Sequence, residues 1–189
     1  MGVLREYIEA LLLESEEKPV ARKLRIFDFD DTVVKTDSKI YVTHADGSES
    51  TLTPGEFAIY EPPPGDVFDF GDFEKLVNPK EIRQIANILK RIVRKRGPEG
   101  AVMLTARANP DPVTEFLHDI KLYGIDVMAL GSADPQAKAD YIAHRIESDN
   151  LTHVEFFDDS LKNVRAVKEL ISLYPNINFK VRHVTYEPV

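Results

Sequence analysis

The 189-residue chain has no cysteine. That excludes a disulfide scaffold, a thiolate zinc site and a cysteine nucleophile, and it agrees with a reducing compartment. Long apolar runs are missing as well. Nothing approaches the roughly 20 residues needed to cross a bilayer. The opening stretch MGVLREYIEALLLESEEK is broken by Arg5, Glu6 and Glu9, unlike the uninterrupted apolar core of a signal peptide. With 9 glycines, 12 prolines and no repeat of fixed period, fibrous and solenoid architectures drop out. The five histidines (His44, His118, His144, His153, His183) show no metal-ligand spacing, and there is no GxxxxGK(S/T) phosphate loop. Positive charge is in deficit: 24 Lys and Arg against 32 Asp and Glu leave a net charge of −8. That disfavours non-specific attraction to nucleic acid or anionic lipid, without excluding a local basic groove. These absences lead to the expectation of a soluble, cytoplasmic protein with no membrane partner.

What is present is an ordinary globular balance, 43% hydrophobic and 30% charged, in a length that suits one domain with at most a small insertion. Residues 3 to 14 carry Leu4, Tyr7, Ile8, Leu11 and Leu12 on one stripe, so an amphipathic helix is expected within residues 1–18. LRIFDF at 24 to 29 reads as a buried strand. Within a small insertion at 33 to 78, residues 40 to 77 differ in texture, with the β-like pieces IYVTH, STLTP and FAIY, an Asp46-Gly47 turn and Pro62-Pro63-Pro64-Gly65. They read as a hairpin-like flap followed by an irregular loop. From Pro79 to Arg96 the apolar residues fall at helical spacing until Gly97-Pro98 stops them. Strands are then expected at AVMLT, IDVMAL, VEFFD and FKVRHV, with helices at about 112 to 123, 135 to 148 and 160 to 173. This alternation predicts an α/β fold: a mainly parallel sheet in a three-layer, Rossmann-like arrangement.

Ligands in such sheets bind at the carboxyl ends of the strands. The residues there are Asp28, Asp30, Asp31 and Thr32 after the first strand, Thr105 and Arg107 after the second, and Asp158, Asp159 and Ser160 after the fourth. Strand alternation points Asp28 and Asp30 to one face, with Phe29 between them on the other. Carboxylates gathered this closely repel one another, and an all-oxygen set suits magnesium.

FDFDDT matches the Asp-x-Asp-x-Thr signature of the haloacid dehalogenase-like (HAD) phosphohydrolase superfamily. VMLTAR resembles its second motif, Lys138 stands where the third-motif lysine is expected, and Asp158-Asp159 resembles the acidic fourth motif. The resemblance runs from 24 to about 170. It implies a HAD fold, with Asp28 as the nucleophile forming an aspartyl phosphate. Asp30 would protonate the leaving oxygen and then activate water. Thr105 and Lys138 would hold the phosphoryl group. Magnesium would be bound by the Asp28 carboxylate, the Asp30 backbone carbonyl and Asp158, with Asp159 behind them orienting a water or Lys138. Asp31 replaces the glycine common in this loop and is read as capping the turn. Thr32 is read as fixing that turn, Ser160 as a helix N-cap and Asn163 as a polar contact beneath the site.

In this superfamily inserted caps choose the substrate. Here 33 to 78 is too short for a helical cap, so a small β flap and no large cap are expected. IFDFDDTVVKT, and LTAR followed by Glu115-Phe116-Leu117, resemble the HAD domains of nucleic-acid repair enzymes of the polynucleotide 3′-phosphatase type. Arg107 would then contact a substrate phosphate or form a structural salt bridge. The basic cluster Lys90, Arg91, Arg94, Lys95 and Arg96 reads as a solvated helix end favoured by the helix dipole. The partner implied is a phosphorylated small molecule or a nucleic-acid end. A phosphatase of small metabolites and a non-catalytic binding protein on the same scaffold are the other readings, and the oligomeric state is not readable.

Overall fold

A computed structural model describes residues 22–185. The helix expected within 1–18 lies outside those residues. The chain opens with β1 (Lys23–Phe27), then β2 (Val34–Lys35), β3 (Ile40–Thr43), β4 (Glu49–Leu52), α1 (Pro54–Ile59), β5 (Val67–Asp69) and β6 (Lys80–Glu81). It continues through α2 (Arg83–Arg96), β7 (Ala101–Thr105), α3 (Asp111–Asp119), β8 (Asp126–Ala129), α4 (Pro135–Ser148), β9 (His153–Asp158), α5 (Leu161–Leu173) and β10 (Asn178–His183).

Five strands pair in the order β10-β9-β1-β7-β8, all parallel. The fold is therefore α/β and Rossmann-like, as the alternation predicts. A parallel sheet covered on both faces needs strands that are apolar on both sides, and β7 shows it: all of AVMLT is buried. Phe27, Met103 and Phe157 point to one face, under Ile85 and Leu89 of α2 and Val113, Phe116 and Leu117 of α3. Ile26, Leu104 and Phe156 point to the other, under Ala139, Ile142 and Ile146 of α4 and Val167 and Leu170 of α5. Phe27 and Phe157, partners in register, stack with centroids 4.4 Å apart directly below the site. Truncating a ring at such a place costs about 3–5 kcal/mol. Among the described residues no helix is long and apolar enough to cross a membrane.

The flap is a separate antiparallel sheet in the order β4-β3-β5. Its first turn places Gly47 at φ +83°, the left-handed region that glycine enters without a Cβ clash. FAIY, expected as β-like, is mostly helical. Thr53 and Glu56 form a reciprocal capping box with Pro54 at the first position, and these start signals outweigh the aromatic and β-branched content of the segment. The helix expected from Pro79 begins only at Arg83. Lys80–Glu81 instead pairs with Val34–Lys35, and the Ile82 N–H donates to the Val33 carbonyl at 2.8 Å. The third expected helix also stops early, at Asp119, where Lys121 turns to φ +63°.

Candidate functional site

In the central sheet the chain moves from β1 to β7 and β8 on one side, then returns to place β9 on the other. The strand order reverses between β1 and β9, and a crevice opens there beyond the carboxyl ends. Asp28 follows β1 and continues its ladder, its N–H donating to the Phe157 carbonyl at 2.9 Å. Asp158 is the last residue of β9 and is fully buried.

Lys138 binds these two together. Its Nζ donates to Asp28 Oδ1 at 2.6 Å and to Asp158 Oδ2 at 2.8 Å, and the side chain is 3% exposed. A lysine near the start of α4 faces the positive end of the helix, so local helix energetics do not favour it. The carboxylates on neighbouring strands do. The helix itself is started by Asp134, which accepts from the Gln136 N–H, with Pro135 next. Asp158 is further held by the Ser160 N–H and by Asn163 Nδ2. Ser160 caps α5, and Asn163 sits beneath Asp158 as a polar contact.

Asp159 stands closer to the centre than an outlying role suggests. Asp28, Asp158 and Asp159 each offer an oxygen, and these atoms all lie within 4.8 Å of one another. Thr32 ties Asp159 to the first loop: the Asp159 N–H donates to Thr32 Oγ1 at 3.1 Å, and that hydroxyl donates to Asp159 Oδ1 at 3.3 Å. Three carboxylates thus gather near one ammonium, which bonds only Asp28 and Asp158. Burial, followed by the charges of Asp158 and Asp31, pushes Asp159 up to about 7. Burial also drives Asp28 well above the usual carboxylate range, with Asp158 and Asp159 adding to it and Lys138 pulling the other way. Burial alone would lower the pKa of Lys138, but the charges and hydrogen bonds of Asp28 and Asp158 hold it above that of an ordinary lysine. Both directions coexist because the cluster carries a surplus of negative charge. An all-oxygen set with that surplus fits a hard divalent cation.

Asp30 lies apart from this group. Strand geometry ends at Phe27, and the N–H groups of Val33 and Val34 both turn back to the Phe29 carbonyl, so the two-residue alternation does not carry through. Asp30 instead receives the Arg107 fork, from Nε at 2.9 Å and Nη2 at 2.7 Å. Arg107 Nη1 donates to the backbone carbonyls of Phe73 (2.7 Å) and Lys75 (3.2 Å) in the flap. Arg107 is 3% exposed, and four of its five guanidinium N–H groups are engaged in this way. Arg107 thus makes a salt bridge with Asp30, the second of the contacts read for it from the sequence. Thr105 is buried and its Oγ1 accepts from the Arg107 N–H at 3.2 Å, which leaves its hydroxyl proton for another acceptor. Asp31 sits at φ +54°, which explains why glycine would suit this position and why aspartate is tolerated.

Part of this set opens into a cavity of about 460 Å³, whose lining does not include Thr105 or Asp158. Its lining includes Asp28, Asp30, Arg107, Lys138 and Asp159, with Phe57, Tyr60, Phe68, Phe70 and Phe73 of the flap facing them. The sequence reading missed those rings as site residues; their only signal was the density of aromatics in 40 to 77. A second groove, about 630 Å³, runs along α2 and is lined by Arg25, Arg91, Lys95, Arg96 and Arg182. It shares no lining residue with the first cavity. Lys90, in the same basic helix, pairs with Glu81 at 2.6 Å. Compared with known proteins, the chain matches no family model and no curated protein, so the superfamily resemblance rests on its motifs and on how they are arranged.

Proposed function

We propose that this protein is a magnesium-dependent phosphomonoesterase of the HAD type that works through an aspartyl phosphate on Asp28. The observation that carries the reading is Lys138 bridging Asp28 and Asp158, with Asp159 beside them, at the reversal point of a parallel sheet. Asp28, Asp158 and Asp159 would hold the ion, together with the Asp30 backbone carbonyl. When bound, the ion offsets the repulsion between an anionic nucleophile and an anionic phosphate.

An Asp28 carboxylate oxygen attacks phosphorus as the ester P–O bond breaks opposite it, and the leaving oxygen takes a proton from Asp30. Water then attacks the same phosphorus and gives its proton to Asp30, and the bond to Asp28 breaks to release inorganic phosphate. Asp30 serves in this only after taking up a proton and turning one oxygen away from Arg107. Thr105 donates its hydroxyl to a phosphoryl oxygen, and Lys138 balances the charge on that group. The resemblance to repair enzymes makes a nucleotide or a polynucleotide end the substrate of this reading.

The test is phosphate release with magnesium from aryl, nucleoside and oligonucleotide phosphates, with Asp28→Asn and EDTA as controls. Release abolished by both is the expected result. Release that survives Asp28→Asn, or silence from folded, magnesium-loaded protein, removes the proposal.

A further inference from the structure

We infer that the flap carries an aromatic subsite selecting a leaving group that is planar, aromatic and joined to a single phosphate. Its fit is a nucleoside monophosphate or an aryl phosphate. The chemistry rests on the phosphatase reading above; the binding does not.

The cavity wall opposite the carboxylates is a run of rings. Phe57 meets Phe68 and Phe70 edge to face, each at 5.4 Å, at 71° and 82°. Tyr60 meets Phe68 at 6.1 Å and Phe70 meets Phe73 at 6.2 Å, again edge to face. Arg107 then lies 4.6 Å from the Phe73 ring and grips Asp30. The strip thus leads from the flap to the carboxylates without a break. None of these five rings belongs to either hydrophobic core, and Phe70 is 43% exposed. In an edge-to-face pair the partner's edge covers one face of one ring only, and a planar ligand stacks on the ring faces left open. The cavity, about 460 Å³, is in the range of small-molecule sites.

Charge limits the ligand to one phosphate. Of the cations lining the cavity, Arg107 is committed to Asp30 and the flap carbonyls, and Lys138 to Asp28 and Asp158. Lys162 remains, and Glu74 lines the same space. A second or third phosphate, or the backbone of a polynucleotide, would meet one lysine and a carboxylate.

Calorimetric titration of Asp28→Asn protein in magnesium buffer tests this without turnover. Adenosine 5′-monophosphate and 1-naphthyl phosphate are expected to bind at least tenfold tighter than glycerol 3-phosphate. Phe70→Leu is expected to weaken the aromatic ligands fivefold or more and glycerol 3-phosphate less than twofold, with Phe57→Leu as the second variant. The ligand comparison uses the unaltered flap, so it decides the matter even where a variant fails to fold. Equal affinity for aromatic and aliphatic ligands overturns the subsite, as does no binding of any. A diphosphate or a phosphorylated oligonucleotide bound tenfold tighter than the monophosphate overturns the single-phosphate limit. Turnover by the unaltered protein separates the two proposals. Equal release from aromatic and aliphatic esters sinks the subsite alone, and selective binding with no release sinks the phosphatase alone.

Discussion

Replacing Lys138 with methionine keeps most of the unbranched apolar stem and removes the ammonium that joins Asp28 and Asp158. All three groups are buried, so the carboxylates are left without a counter-charge in a medium that solvates them poorly. Breaking a buried pair from one side costs about 3–5 kcal/mol. At about 2–4 °C per kcal/mol for a domain of this size, the melting temperature should fall by roughly 6–20 °C. The loss should depend on pH. Asp159 titrates at about 7 and Asp28 well above the usual range, so both are raised above their unfolded values. Groups raised in this way cost stability as pH climbs from the unfolded pKa through the folded one. The variant should therefore lose more at pH 8 than at pH 6, where protonation relieves the cluster. Magnesium should restore part of the loss, about 2.7 kcal/mol at a hundredfold excess over its dissociation constant. Thermal unfolding by circular dichroism at both pH values, with and without magnesium, reads all three effects. A fall under 2 °C, or a loss larger at pH 6 than at pH 8, would refute the electrostatic account. A melting temperature indifferent to magnesium would refute the metal site.

Arg107→Lys should keep the charge but lose the fork and the grip on the Phe73 and Lys75 carbonyls. Amide exchange across residues 70–77 is expected to accelerate, with a stability loss of about 2–4 kcal/mol; unchanged protection there would contradict the latch. Asp31→Val puts a β-branched residue at φ +54° and should cost about 1–2 kcal/mol more in urea unfolding than Asp31→Gly, which removes the same carboxylate without the strain. Burial would raise Glu155, but Lys23 and Arg182 outweigh it and hold its pKa below the ordinary value. Its stabilising share is present above the unfolded pKa of about 4.3 and is lost as pH falls through the folded value. Glu155→Gln should flatten that acid limb of the unfolding curve.

Much of this fold follows from local order along the chain. Backbone hydrogen bonding imposes periods of about 3.6 and 2 residues. The apolar runs of β1, β7 and β9, the helix starts at Asp134 and Ser160 and the stop at Gly97 are therefore all visible within a few positions. Strand alternation with helices then predicts a parallel sheet, and the sheet brings the residues after its strands to one edge. In that sense the sequence by itself determined which carboxylates and which lysine come together at that edge. It did not determine who meets whom. Arg107 reaches Asp30 across 77 residues, Lys138 reaches Asp28 across 110 and Thr32 reaches Asp159 across 127. Contacts of that span depend on strand order and loop curvature, which no local period encodes. The same reason hid the fate of the 33 to 78 segment. Capping chemistry turned Pro54–Ile59 into a helix, a ladder with Val34–Lys35 claimed Lys80–Glu81, and the folding of the flap over the sheet edge set its rings opposite the carboxylates. Only the tertiary structure decided that arrangement, because a ring's neighbours are set by packing among segments that the chain order leaves far apart.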